Sequence, residues 1–83
     1  MTQQIESFVV SVEGIRNGAI FWLNSTPPKG PAFYITDTAA SILLPIALAS
    51  LTTGKRVIVD YEPGAGPNVP NGLPTYVVVG LKI

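Results

Sequence analysis

Acid–base and nucleophilic chemistry near neutral pH usually recruits histidine, cysteine or a tuned carboxylate, and this sequence has no histidine and no cysteine. A hydrolase would have to rest on Asp37, Asp60, Glu62 and hydroxyl groups. Asp60 and Glu62 lie two apart in RVIVDYE, so on a strand they share a face. There they form a carboxylate pair or a weak cation site, or they stand as solvated charges closing a sheet edge. The edge reading is preferred, no catalytic residue, metal or cofactor is assigned, and the chain is read as not an enzyme. The Gly64-Ala65-Gly66 triplet is followed by Pro67 and Asn68 and lacks the strand-turn-helix setting of a dinucleotide site. No phosphate-loop motif occurs. Asn24-Ser25-Thr26 matches a glycosylation acceptor, a triplet that has meaning only in a eukaryotic secreted chain.

The side chains with a binding use are aromatic. If Phe21, Leu23, Phe33 and Ile35 point into a core, strand alternation sends Trp22 and Tyr34 outward. Rings on an outer sheet face either stack on a sugar or a base, or pack against another subunit. Trp22 and Tyr34, with the neighbouring polar Asn24, are the candidate ligand-binding residues, and the apolarity of the chain favours subunit packing for the same rings.

The elements that would position them follow from periodicity. Residues 5–13, IESFVVSVE, alternate Phe8, Val10 and Val12 against Ser7, Ser11 and Glu13, the pattern of a half-buried strand. Gly14 and Asn17-Gly18 mark a turn, and the five or so residues between strands argue against a two-residue hairpin. Further strands are expected at 19–24, 32–36, in RVIVDY and in TYVVVGLKI. In the last two both faces are apolar, with Val57 and Val59 opposite Ile58, and Val77, Val79 and Leu81 opposite Val78, so a second covering layer is required. Gly80 marks a bulge or a close backbone approach. The Pro/Gly-rich stretches NSTPPKGP and EPGAGPNVPNGLP are loops.

Between the third and fourth strands, Leu44, Ala47, Leu48 and Leu51 fall at i, i+3, i+4 and i+7 and predict the core face of a helix. Pro45 suits a first helical turn, so the secure helix is 45–53, with 39–44 open between helix and extended chain. Gly54 is its left-handed end, and Lys55 and Arg56 sit where positive charge favours that end. The apolar run from Ala39 to Leu51 is shorter than the roughly 20 residues of a membrane span, and it is internal, unlike a signal sequence.

At 83 residues the chain allows one domain, 1–83, that buries only about 60–65% of its unfolded surface. With neither a disulfide nor thiolate or imidazole metal ligands to staple it, oligomerisation is the remaining device. Charged residues make up 12% of the chain against about 25% in ordinary domains, too few to cover its surface. Net charge is zero and only Lys55 and Arg56 form a basic pair, which speaks against nucleic acid as a partner. No N-terminal targeting segment is visible, which leaves localisation open between the cytoplasm and a processed secreted form.

The order of elements, three strands, a helix and two strands, predicts a mainly β fold: a small five-stranded OB-fold-like Greek-key barrel with one short helix between strands 3 and 4. LASLTTGKRVIVDY joins a helix ending in Thr-Gly to a basic pair and a V-x-V strand, and the chain ends in VVGLKI. Over residues 32–83 this resembles the B subunits of AB5 toxins of the subtilase-cytotoxin and pertussis-like type. The resemblance implies a homopentameric ring with helices lining its centre, barrels joined edge to edge, a glycan bound on an outer face and a separate A-type partner chain. The sequence departs from that family in its missing disulfide, its missing secretion signal and its short helix. Two other readings remain: a structural assembly or interaction module without a small ligand, and an OB-fold binder of single-stranded nucleic acid.

Overall fold

A computed structural model describes residues 2–24, 32–64, 66 and 75–83. The fold is mainly β, with strands β1 (Gln3–Ser7), β2 (Val9–Ile15), β3 (Gly18–Leu23), β4 (Phe33–Thr36), β5 (Val57–Glu62) and β6 (Tyr76–Lys82). A 3-10 turn at Asp37–Ala39 leads into the helix α1 (Ala40–Thr53), between β4 and β5. The strands form one mixed sheet in the order β1-β5-β6-β4-β3-β2, antiparallel throughout except for the β4–β6 pair. No helix among the described residues is long and apolar enough to cross a membrane.

Six strands replace the expected five because the first breaks at Phe8. Its halves pair with different neighbours, β1 with β5 and β2 with β3, so the two ends of the sheet order are consecutive in the chain. At the break the backbone finds other partners: the Phe8 carbonyl accepts the Asn24 N–H at 3.0 Å, and the Val9 N–H donates to the Ser50 hydroxyl at 3.0 Å. No ladder joins β1 to β2 among the described residues, so the sheet is not a closed barrel.

Two bulges rewrite the expected alternation. In β2 the register steps from Val9–Leu23 to Ser11–Trp22, leaving Val10 as the extra residue. Val12 packs on the core, as the alternation predicts, but Val10 is exposed and Val9 is buried in its place. In β6, Asp60 pairs with Gly80 and Tyr61 with Val78, so Val79 is skipped. Leu81 thereby joins Val78 in the core and Val79 turns out to solvent, so β6 is not apolar-buried on both faces. The expectation at Gly80 holds as a bulge, which adjoins it, and not as a close backbone approach, since what a Cβ there would meet is the Asp60 side chain, 3.1 Å away. The β2–β3 connection is a two-residue turn, shorter than expected, because β2 runs on through Gly14 to pair Ile15 with Gly18.

Phe21, Leu23, Phe33 and Ile35 do fill the core, with Val9, Ala47, Val57, Val59, Val78 and Leu81. Phe21 and Phe33 stack with ring centres 5.5 Å apart. The helix closes over this layer and starts five residues before the secure 45–53 segment, so 39–44 is helical from Ala40 and Pro45 lies inside it. Pro45 removes one N–H from the helix, but it and Ser41, four residues earlier, are both exposed, so water can reach the freed carbonyl. Thr36 caps the 3-10 turn by accepting the Ala39 N–H at 3.3 Å. Gly54 ends α1 at φ 74, as its sequence position predicts, with its N–H on the Ser50 carbonyl at 2.8 Å.

Candidate functional site

Trp22 and Tyr34 stand on the outer face of neighbouring strands. The β3–β4 register sets Ile20 opposite Tyr34 and Phe21 opposite Phe33, so alternation turns the phenylalanines inward and Trp22 and Tyr34 outward. They are not free-standing rings. Ile20 and Ala32 are buried on this side, and Ile15, Trp22 and Tyr34 pack around them as a second, smaller apolar cluster. The Tyr34 hydroxyl donates to the Asn17 carbonyl at 2.6 Å, tying β4 to the β2–β3 turn. Asn24 lies exposed just past the end of β3, with its backbone N–H committed to Phe8. The structure thus brings Trp22 and Tyr34 together and uses the polar end of Tyr34 internally. Ser25 and Thr26 of the glycosylation triplet, and most of both Pro/Gly-rich loops, lie outside the described residues.

Asp60 and Glu62 do not close a sheet edge, as the preferred reading expected, because β5 lies between β1 and β6. Each takes a separate donor from the chain beside β5: Gln4 Nε2 reaches Asp60 Oδ1 at 2.8 Å, and Thr2 Oγ1 reaches Glu62 Oε1 at 2.7 Å. The β1–β5 register explains the first contact, since Gln4 lies directly opposite Asp60. The Thr2 hydroxyl favours the ionised carboxylate and holds Glu62 below its ordinary pKa. Among the described residues no group of three or more acidic side chains is arranged to hold a metal ion. After β5, Gly64 lies in a turn and the Gly66 N–H returns to the Thr75 carbonyl at 3.1 Å, while residues 67–74, which follow the glycine pair, lie outside the described residues.

The helix presents a face that its sequence periodicity does not predict. Ala47 and Ser50 are buried and Leu43, Leu44 and Ile46 pack on the core, whereas Leu48 and Leu51 point out at 42% and 40% exposure, with Ile42 at 70%. The reason is that α1 is apolar nearly all round, so hydrophobic spacing alone does not choose its inner side. Ser50 does choose it. Its hydroxyl is fully buried, accepts the Val9 N–H and donates to the Lys55 carbonyl at 2.6 Å, which fixes the helix rotation against the β1–β2 break. The outer face then carries Ile42, Pro45, Leu48 and Leu51 beside the exposed hydroxyls of Ser41, Thr52 and Thr53, and no charged residue occurs between Asp37 and Lys55. The sequence carries no clear signal for this rotation, since the run holds two serines, Ser41 exposed and Ser50 buried.

A second feature not anticipated is an aromatic group at the ends of β5 and β6. Phe33 meets Tyr61 and Tyr76 edge-on at 5.2 and 5.7 Å, and the two tyrosines stack on each other at 5.2 Å with planes 2° apart. The Tyr61 hydroxyl donates to Gln3 Oε1 at 3.3 Å. The signal lay in spacing, because Tyr61 is two residues from inward Val59 and Tyr76 two from inward Val78.

Compared with known proteins, the chain matches no protein-family model, no curated protein and no solved structure.

Proposed function

We propose that this chain is a non-enzymatic assembly module with an OB-like topology, whose copies associate through the outer face of α1 into a ring. The observation that carries the reading is the uncharged apolar face of Ile42, Pro45, Leu48 and Leu51 on the solvent side of the helix. Contiguous exposed apolar surface on a small domain marks an interaction site more often than a bare surface. Counting β1 and β2 as one bent strand gives five strands with the helix between the third and fourth, the element order of the OB-fold. A ring of five, as in toxin B subunits, is the preferred stoichiometry. A second reading adds a glycan site at Trp22, favoured by the half-exposed indole beside exposed Asn24. The Tyr34 hydroxyl contributes less to such a site because Asn17 already holds it.

Two variants separate the surfaces. Ile42→Asp places a charge on the helix face at an exposed position, so the reading expects a folded chain of monomeric mass by light scattering. Trp22→Ala is expected to leave the assembly intact and to abolish retention on any glycan array that the unaltered chain binds. An Ile42→Asp chain that keeps the mass of the unaltered one would overturn the helix-face assignment. Dissociation by Trp22→Ala would move the interface to the sheet.

A further inference from the structure

The tyrosine pair Tyr61–Tyr76 has a chemistry of its own, separate from how copies associate. The β5–β6 register places Tyr61 opposite Val78, which makes Tyr76 its diagonal neighbour on the same face, a spacing that long aromatic side chains bridge. The rings lie parallel at 5.2 Å, both half-buried, and Phe33 closes on each edge-on, so the stack is held from the core side. The third tyrosine, Tyr34, is on the outer face with its hydroxyl bound to Asn17.

We propose that Tyr61 and Tyr76 are an oxidative cross-linking site, coupled within one chain to dityrosine by a one-electron oxidant. Each phenol gives up one electron and its hydroxyl proton. The two phenoxyl radicals join by a carbon–carbon bond between ring positions ortho to the hydroxyls, and the ring hydrogens at those carbons move to the phenol oxygens as the rings regain aromaticity. The net loss is two electrons and two protons. With peroxide as the terminal oxidant these convert one hydrogen peroxide to two waters, and with persulfate they give two sulfates and two protons released to solvent. The stack supplies the proximity that makes the pairing intramolecular rather than random. The product is a covalent closure of the chain between residues 61 and 76, in a protein without cysteine for a disulfide.

The test is photo-oxidation of the intact protein by a ruthenium–persulfate couple, read by dityrosine fluorescence, denaturing electrophoresis and peptide mapping. The expected result is fluorescence in a product of single-chain mass whose linked peptides contain Tyr61 and Tyr76. Tyr61→Phe and Tyr76→Phe, which keep both rings in the stack, should each reduce the intrachain product by about tenfold or more, Tyr34→Phe should leave it unchanged, and urea should reduce it about as far as the Phe variants. The proposal is overturned by an absent product under conditions that couple free tyrosine. It is equally overturned by a link through Tyr34, by predominantly interchain product, or by an undiminished yield in urea.

Discussion

Ser50 is the residue on which the helix orientation depends. A fully buried hydroxyl that accepts from Val9 and donates to Lys55 satisfies two backbone groups where the first strand breaks. Ser50→Ala leaves both without that partner, and the expected loss is about 1–3 kcal/mol of stability, measured by urea denaturation. Glu62 gives a smaller, pH-dependent signature. Because Thr2 favours its ionised form, Glu62 has a lowered pKa in the fold, and its contribution is complete above the ordinary carboxyl pKa and lost as pH falls through the folded value. The difference in denaturation midpoint between the unaltered chain and Glu62→Gln is therefore expected to shrink below about pH 4. A difference that grows on acidification would contradict this sign. At this scale the candidate site was partly legible: alternation alone turns Trp22 and Tyr34 outward. The bond from Tyr34 to Asn17 was not, because it depends on a turn that brings together residues 17 apart in sequence.

Among the elements, the strands were readable until a bulge intervened. Period-two alternation assigns β3 and β4 correctly, but one extra residue reverses every later side chain, which is why Val10 and Val79 are exposed and Leu81 is buried. Gly80 announced the second bulge, and nothing comparable announced the first. The helix start was hidden by Pro45, whose usual meaning is a first turn, although an exposed proline is accommodated inside α1. Pro45→Ala restores one N–H to the helix and is expected to raise stability by about 1–2 kcal/mol, seen as a higher midpoint in thermal or urea unfolding. The tight β2–β3 turn makes the opposite prediction at Gly18. Its φ of 145 and the Ile35 carbonyl packed against it leave no room for a side chain, so Gly18→Ala should cost about 2–3 kcal/mol by the same assay.

For the whole molecule, a small core, no covalent staple and a charge-free helix face point in one direction. The sheet curls back through the break at Phe8, α1 covers the core, and the side of α1 turned away carries Ile42, Pro45, Leu48 and Leu51. Covering that face with further copies removes it from water without like-charge repulsion, since none of its residues is charged. Composition supplies the expectation of self-association, whereas the helix face proposed to carry it was not readable there, because it depends on the helix rotation that Ser50 sets. The native mass of the unaltered chain, by native mass spectrometry, tests this most directly. Association through α1 predicts an oligomer, and for a ring of five a mass near 44 kDa, five times the 8.8 kDa chain. A stable monomer at micromolar concentration would contradict the account.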